Sequence, residues 1–104
     1  MYKRQTLPCV EAAIARRINA GAACALPRSV ALKPDPQVIA AEELHSKRVQ
    51  VIDLTKFFCG SELCYPVVGG ALVYRDVDHL TRTFAATLGP FLLHALGALM
   101  RSWR

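Results

Sequence analysis

What this chain has little of narrows its reading first. It has no block of like charge: its 13 basic and 8 acidic residues are scattered, with Lys3/Arg4, Arg16/Arg17, Lys47/Arg48 and Arg101/Arg104 as the basic groups. Aromatic residues make up only 8% and few fall among those cations, so the net charge of +5 reads as a solvated basic surface. No nucleic acid is expected as a partner, because a phosphate-tracking face clusters its charge. Low-complexity segments and internal repeats are missing too. The basic start, residues 1–8, does not lead into an unbroken apolar core, because Glu11, Arg16 and Arg17 interrupt it. No signal peptide is expected in this stretch. Charged residues are 20% against 53% hydrophobic, which excludes disorder, and 104 residues suffice for one small domain, with no room for a second.

Cysteine is the exception to this sparseness. Cys9, Cys24, Cys59 and Cys64 are an even number in a short chain, which fits two disulfides or one four-thiolate metal site. Structural zinc sites bring ligands in close pairs. Cys59 and Cys64 have four residues between them, but Cys9 and Cys24 have fourteen, so half of that pattern is absent. Disulfides are the expectation, and Cys9–Cys24 with Cys59–Cys64 is the simplest of three pairings. Closing a loop of about 15 residues stabilises by about 3 kcal/mol in the chain-entropy view. Oxidised cysteines imply an oxidising compartment, so an export signal is expected outside this chain. No cofactor motif and no metal site is read from the sequence.

The order of elements is mixed α and β. Residues 9–20 predict a helix with Val10, Ile14 and Ile18 on one face and Gly21 at its end. Residues 24–33 predict no firm element. A second helix is expected from Asp35 as N-cap and Pro36 at the first position to about Lys47, with Val38, Ile39, Ala41 and Leu44 as its apolar face. Residues 48–54, Arg-Val-Gln-Val-Ile-Asp-Leu, read as a buried strand. Two apolar runs around Gly69-Gly70 predict a hairpin, because both central positions of its turn need positive φ. From Leu80 to about Met100, Phe84, Leu88, Phe91, Leu92, Ala95, Leu96 and Leu99 follow helical spacing. Gly89-Pro90 predicts a kink or break there. The eighteen residues between Arg82 and Arg101 carry no formal charge, so a membrane span is weighed against Thr83, Thr87, Gly89, Pro90 and His94.

The chemistry-bearing stretch is residues 74–81, Tyr-Arg-Asp-Val-Asp-His-Leu-Thr. If the chain turns into a helix between Asp76 and His79, the carboxylate accepts the Nδ1 proton of the imidazole and leaves Nε2 to take a proton from a serine. Spacing alone favours a helix start capped by Asp78, with Asp76 solvated and His79 on the surface. His45 is expected to be exposed and His94 to be a partly buried packing residue, neither with a role. Trp103 packs or lies loose.

The surroundings of that stretch decide between the two. Residues 51–55, the Cys59/Cys64 pair with Pro66 beyond, Gly69-Gly70 and the Tyr-Arg-Asp-x-x-His-Leu-Thr string resemble the C-terminal end of the SGNH domain. The version meant is that of the large acyltransferase-3 family, where it follows a multi-helix membrane acyltransferase domain. Phe84, Ala85, Leu88 and Pro90 match the helix after the motif. Cys9, Cys24, Pro27-Arg28 and Ala31-Leu32 look like the region before the family's last strand, so the resemblance covers most of residues 8–97.

The resemblance implies that Asp76 orients and His79 is the base of a Ser-His-Asp triad, with Asp78 a bystander or cap. It implies an α/β fold, the C-terminal fragment of a partial SGNH-hydrolase (flavodoxin-like) three-layer domain. The implied reaction is O-acyl (acetyl) transfer to or from cell-envelope carbohydrate, on the extracytoplasmic side of a membrane. The family's nucleophile lies in Gly-Asp-Ser and its oxyanion donors are a glycine and an asparagine. This sequence has no Gly-Asp-Ser, its one asparagine is Asn19, and Ser29, Ser46, Ser61 and Ser102 lack the strand-to-turn setting of a nucleophile. The chain is therefore expected to be inactive alone. Its expected partners are the missing N-terminal part of the domain, a membrane acyltransferase domain, a carbohydrate or acyl-ester substrate, and further copies of itself. Two alternatives stand beside this reading: a non-catalytic disulfide-stapled or zinc-binding interaction module, and a small protein anchored in a membrane by residues 83–100.

Overall fold

The alanine-rich N-terminal segment folds as two helices, where the spacing had suggested one. In the computed structural model, which describes residues 6–76 and 79–102, α1 is Thr6–Ala15 and α2 is Ala20–Ala23. Between them Arg17 adopts φ 57°, a left-handed conformation that ends a helix, and the Asn19 side chain caps α2 by accepting the Ala22 N–H at 3.1 Å. The break turns the buried face as well. Val10 and Ala13 are buried, whereas Ile14 and Ile18 are exposed. Gly21, expected as a terminator, instead sits inside α2 where a Cβ would come within 2.7 Å of the Val67 carbonyl oxygen.

The Cys9–Cys24 disulfide, with Cα atoms 5.9 Å apart, ties α1 to the end of α2. Residues expected to lack structure follow: β1 (Leu26–Pro27) and α3 (Arg28–Ala31). The helix α4 (Pro36–Glu43) starts as its sequence dictates, with the Asp35 carboxylate accepting the Gln37 N–H at 2.8 Å and Pro36 just inside. It stops earlier than Lys47. His45 takes φ 48°, and none of α4 is buried: Ile39 and Leu44 lie open to water.

Residues 48–54 form no strand. They run as turn, bend and coil with Val49 and Val51 exposed and only Ile52 and Leu54 half-buried. The reason is that β-branched residues favour a pleated, hydrogen-bonded surface that a neighbouring strand must supply. Among the described residues no strand lies alongside this segment.

The strands that do form are short and antiparallel. β1 pairs with β2 (Leu63–Cys64), in the register Leu26 to Cys64 and Pro27 to Leu63. β3 (Val67–Val68) pairs with β4 (Ala71–Leu72) across Gly69-Gly70, whose φ values of 58° and 77° are those the hairpin reading required. The Cys59–Cys64 disulfide closes the loop before β2. Around it lies the main core: Leu26, Ala31, Phe58, Val73, Tyr74, Phe84 and Leu88, with the Phe58 ring edge-on to both Tyr74 and Phe84. A smaller cluster of Val10, Ala13, Ala20 and Cys24 packs under Val67 and Leu72.

The last helix, α5 (Arg82–Ser102), is continuous through Gly89-Pro90, so of the kink or break expected there the break is absent. Both residues are exposed, so the carbonyl that Pro90 leaves without its helical donor is on the side where water can serve it. Only Phe84 and Leu88 are buried, and Phe91 stacks on Phe57 with ring centroids 4.3 Å apart. Beyond that the helix projects, and Leu92, Leu93, Leu96 and Met100 are exposed. The molecule is accordingly long, 53 × 25 × 21 Å, with a radius of gyration of 15.8 Å. A closed domain of this length has about 13 Å. This is a mixed α/β arrangement of helices and two-stranded sheets.

Candidate functional site

Beyond β4 the chain builds a second, smaller hairpin, and its tip carries the residues singled out by the sequence. The Thr81 N–H donates to the Val73 carbonyl at 2.7 Å, Tyr74 bridges Leu80, and the Arg75 N–H donates to the His79 carbonyl at 2.9 Å. Those contacts make a short antiparallel ladder that sets Asp76 and His79 at the same end of it. Thr81 anchors the stem: its hydroxyl donates to the Leu72 carbonyl and accepts the Phe84 N–H at 3.1 Å, so it caps α5 as well. Tyr74 fills the core side of the stem, with only 5% of its surface exposed. Burial pushes its phenol up from 10.0 to about 12.

At the tip, Asp76 and His79 meet. His79 Nδ1 lies 2.8 Å from Asp76 Oδ1 and 3.1 Å from Oδ2, and the His79 N–H donates to Oδ1 at 2.9 Å. A carboxylate only accepts, so the shared proton belongs on Nδ1 and Nε2 keeps its lone pair. The Arg75 Nε lies 3.5 Å from Oδ2. Both members of the pair are exposed. An imidazole oriented in this way can take a proton from a hydroxyl presented to Nε2.

The contact was legible as an Asp-x-x-His spacing, but its setting was not. The pair sits beside the Tyr74–Leu80 bridge and not in the first helical turn, because α5 begins only at Arg82. Its cap is Thr81, which the sequence reading passed over although a threonine just before a helical run is a standard signal. Asp78, with Val77, lies outside the described residues, as do residues 1–5, Trp103 and Arg104.

Other candidates are placed elsewhere. His45 is exposed as expected; His94 is exposed too, contrary to the partial burial expected of it, because the face of α5 that carries it is uncovered. All four cysteines are paired in the two disulfides, which leaves no thiolate for zinc. Of the four serines, Ser29 and Ser61 border an open concavity with Arg28, Leu32, Lys33 and Glu62 that includes neither Asp76 nor His79. A neighbouring hollow of about 600 Å³ is lined by Arg28, Asp53, Thr55, Lys56 and Ser61. There Asp53 accepts the Thr55 hydroxyl at 2.7 Å and its N–H at 2.9 Å. Those two bonds hold its carboxyl below the usual range, with Arg28 and Lys56 adding to the effect and partial burial opposing it.

The membrane question turns on α5. It is the one described helix long and apolar enough to cross a bilayer, with only 11% of its apolar window buried. Yet Phe84 and Leu88 belong to the core.

A family model described as an SGNH domain (fused to AT3 domains) matches residues 3–94, which include the four cysteines, Asp76 and His79. Nothing matches among curated proteins. Nothing matches among solved structures.

Proposed function

This chain belongs to the SGNH domain family in the form fused to AT3 domains, and from that membership we propose that Asp76 and His79 are the acid and base of a Ser-His-Asp site. The observation that carries the reading is the 2.8 Å contact between His79 Nδ1 and Asp76 Oδ1. It orients the ring and leaves Nε2 as the proton acceptor. The reaction is acyl transfer, to or from a carbohydrate hydroxyl of the cell envelope, with acetyl as the acyl group. A serine hydroxyl gives its proton to Nε2 and attacks the ester carbonyl; the imidazolium then returns the proton to the departing alcohol.

The serine and the oxyanion donors come from residues carrying Gly-Asp-Ser, outside this sequence. Those residues complete the three-layer flavodoxin-like sheet. Residues 48–54, strand-like in sequence and unpaired here, are where a strand of that sheet would add, and the exposed apolar residues of α4 and α5 are where its layers would pack. Without them the uncovered faces favour association between copies. The site then works on the extracytoplasmic side of a membrane, beside the acyltransferase domain to which such domains are fused, in keeping with two disulfides.

The test is turnover of an aryl acetate. The chain alone is expected to give none. Supplied with a Gly-Asp-Ser-bearing N-terminal part of an SGNH domain, it is expected to give turnover that disappears in His79→Ala and in Asp76→Ala. Turnover by the chain alone, lost in His79→Ala, overturns the inactivity. Complemented turnover indifferent to His79→Ala overturns the triad.

A further inference from the structure

Asp76 and His79 are 46% and 62% exposed at their side chains, so water competes for both ends of their contact. A carboxylate is a broad, easily turned rotor about its last torsion, and an exposed pair held at one oxygen is readily released to solvent. The two oxygens of Asp76 are, however, claimed from different sides. Oδ1 takes the His79 N–H at 2.9 Å and Nδ1 at 2.8 Å. Oδ2, at 3.1 Å from Nδ1, is approached by the Arg75 Nε at 3.5 Å.

Arg75 is itself fixed at the mouth of the turn, since its N–H donates to the His79 carbonyl at 2.9 Å. Any residue would make that backbone bond. What the arginine side chain adds is a permanent cation with a rigid Nε–H next to the outer oxygen of Asp76. Its side chain is 67% exposed, so packing does not account for it.

We propose that Arg75 is a positioning residue of the acid–base pair: by engaging Asp76 Oδ2 it keeps Oδ1 on His79 Nδ1, and so keeps Nε2 free of its proton. The proposal rests on the reading of Asp76 and His79 as acid and base. Arg75 acts through Asp76, whose Oδ2 is the side-chain atom its Nε approaches. Without that cation beside Oδ2 the carboxylate leaves Nδ1 more often, and the imidazole drifts to the tautomer with the proton on Nε2. A histidine in that tautomer cannot accept the proton of a serine.

The imidazole nitrogens report this directly. Nitrogen-15 NMR of the full chain, in its neutral-imidazole form, measures the ratio of Nδ1–H to Nε2–H tautomers at His79. The wild-type ring is expected to be mainly Nδ1–H. In Arg75→Gln, which keeps the backbone bond and alters an exposed side chain, that ratio is expected to fall about two- to fivefold, the scale of an exposed ion pair. Asp76→Asn is expected to lower it further, with the amide spectrum of residues 82–102 unchanged in both. An Arg75→Gln ratio equal to wild type, with Asp76→Asn lowered, overturns the positioning role and leaves the acid–base reading standing. An unchanged ratio in Asp76→Asn overturns both, since no carboxylate would then be holding the ring.

Discussion

The Arg28 guanidinium donates from Nη1 to the Gly60 carbonyl at 2.9 Å, joining positions 32 apart in sequence. The same residue donates its backbone N–H to the Glu62 carbonyl at 2.8 Å and reaches the Thr55 hydroxyl from Nη2 at 3.4 Å. It thereby holds the Cys59–Cys64 loop against α3, beside the short β1–β2 pair. In Arg28→Leu the backbone bond survives but the Gly60 carbonyl loses a charged donor. The expected cost is about 1–3 kcal/mol, read as a lower urea midpoint at unchanged slope.

Phe84 and Leu93 lie on the same helix with opposite exposure, 3% and 72%. Phe84→Ala removes a ring that meets Phe58 edge-on at 5.9 Å, and is expected to cost about 3–5 kcal/mol. For a chain of this size that approaches complete unfolding. Leu93→Ala is expected to stay within about 0.5 kcal/mol. Denaturant titration of the two variants side by side measures the contrast.

The disulfides close loops of different length, with separations of 15 and 5. In the chain-entropy view they stabilise by about 3 and about 2 kcal/mol respectively. The double substitution of Cys9 and Cys24 by serine is therefore expected to lower the thermal midpoint more than that of Cys59 and Cys64. Each bridge has one fully buried member, Cys24 and Cys64, so the loop term decides between them, and calorimetry of both pairs measures the order.

These disulfides mark the border of what the sequence could reveal. Cys59–Cys64, the Gly69-Gly70 turn, the Asp35-Pro36 helix start and the Asp76–His79 contact each depend on residues a few positions apart, and all were readable. Residues 48–54 were not: their β-branched pattern asks for a neighbouring strand, and no local rule says whether one will come. The break at Arg17 was hidden because a non-glycine residue at φ 57° has no sequence signature. The β1–β2 pair was hidden because it is held by Arg28 reaching across the chain. For the site, spacing showed that two side chains could meet, while the hairpin that presents them rests on Thr81 and its bonds to Leu72 and Val73.

Acid sensitivity is expected at Asp53. Its folded carboxyl is held low chiefly by the Thr55 hydroxyl and N–H. The stabilisation is therefore fully present above the unfolded carboxylate value of about 3.9 and fades as pH falls through the lower folded value. Asp53→Asn is expected to be less stable than wild type at neutral pH, with the gap closing on acidification. Urea midpoints measured across that range show it.

Tyr74 sets the opposite limb. Its phenol is raised by burial from 10.0 to about 12, so the neutral form is favoured in the folded chain. That contribution is whole below pH 10.0 and is lost as pH rises through about 12. Tyr74→Phe, which cannot ionise, is expected to keep its midpoint over that interval while wild type declines.

The hairpin that carries Asp76 and His79 has a consequence for how the site comes into being. Its bonds join residues no more than 9 apart, whereas the core needs closures such as Arg28 to Gly60. Short closures are fast: a hairpin forms in about 1–10 μs, and each wider loop waits on more chain entropy. An isolated hairpin is only marginally stable, so before the core assembles the acid and the imidazole meet briefly and part again. Packing Tyr74 and Phe84 against Phe58 then lengthens the lifetime of a geometry that the local chain has already sampled. Folding rate and site geometry are in this way separable, and a variant that slows assembly of the core need not misplace the pair once assembly is done.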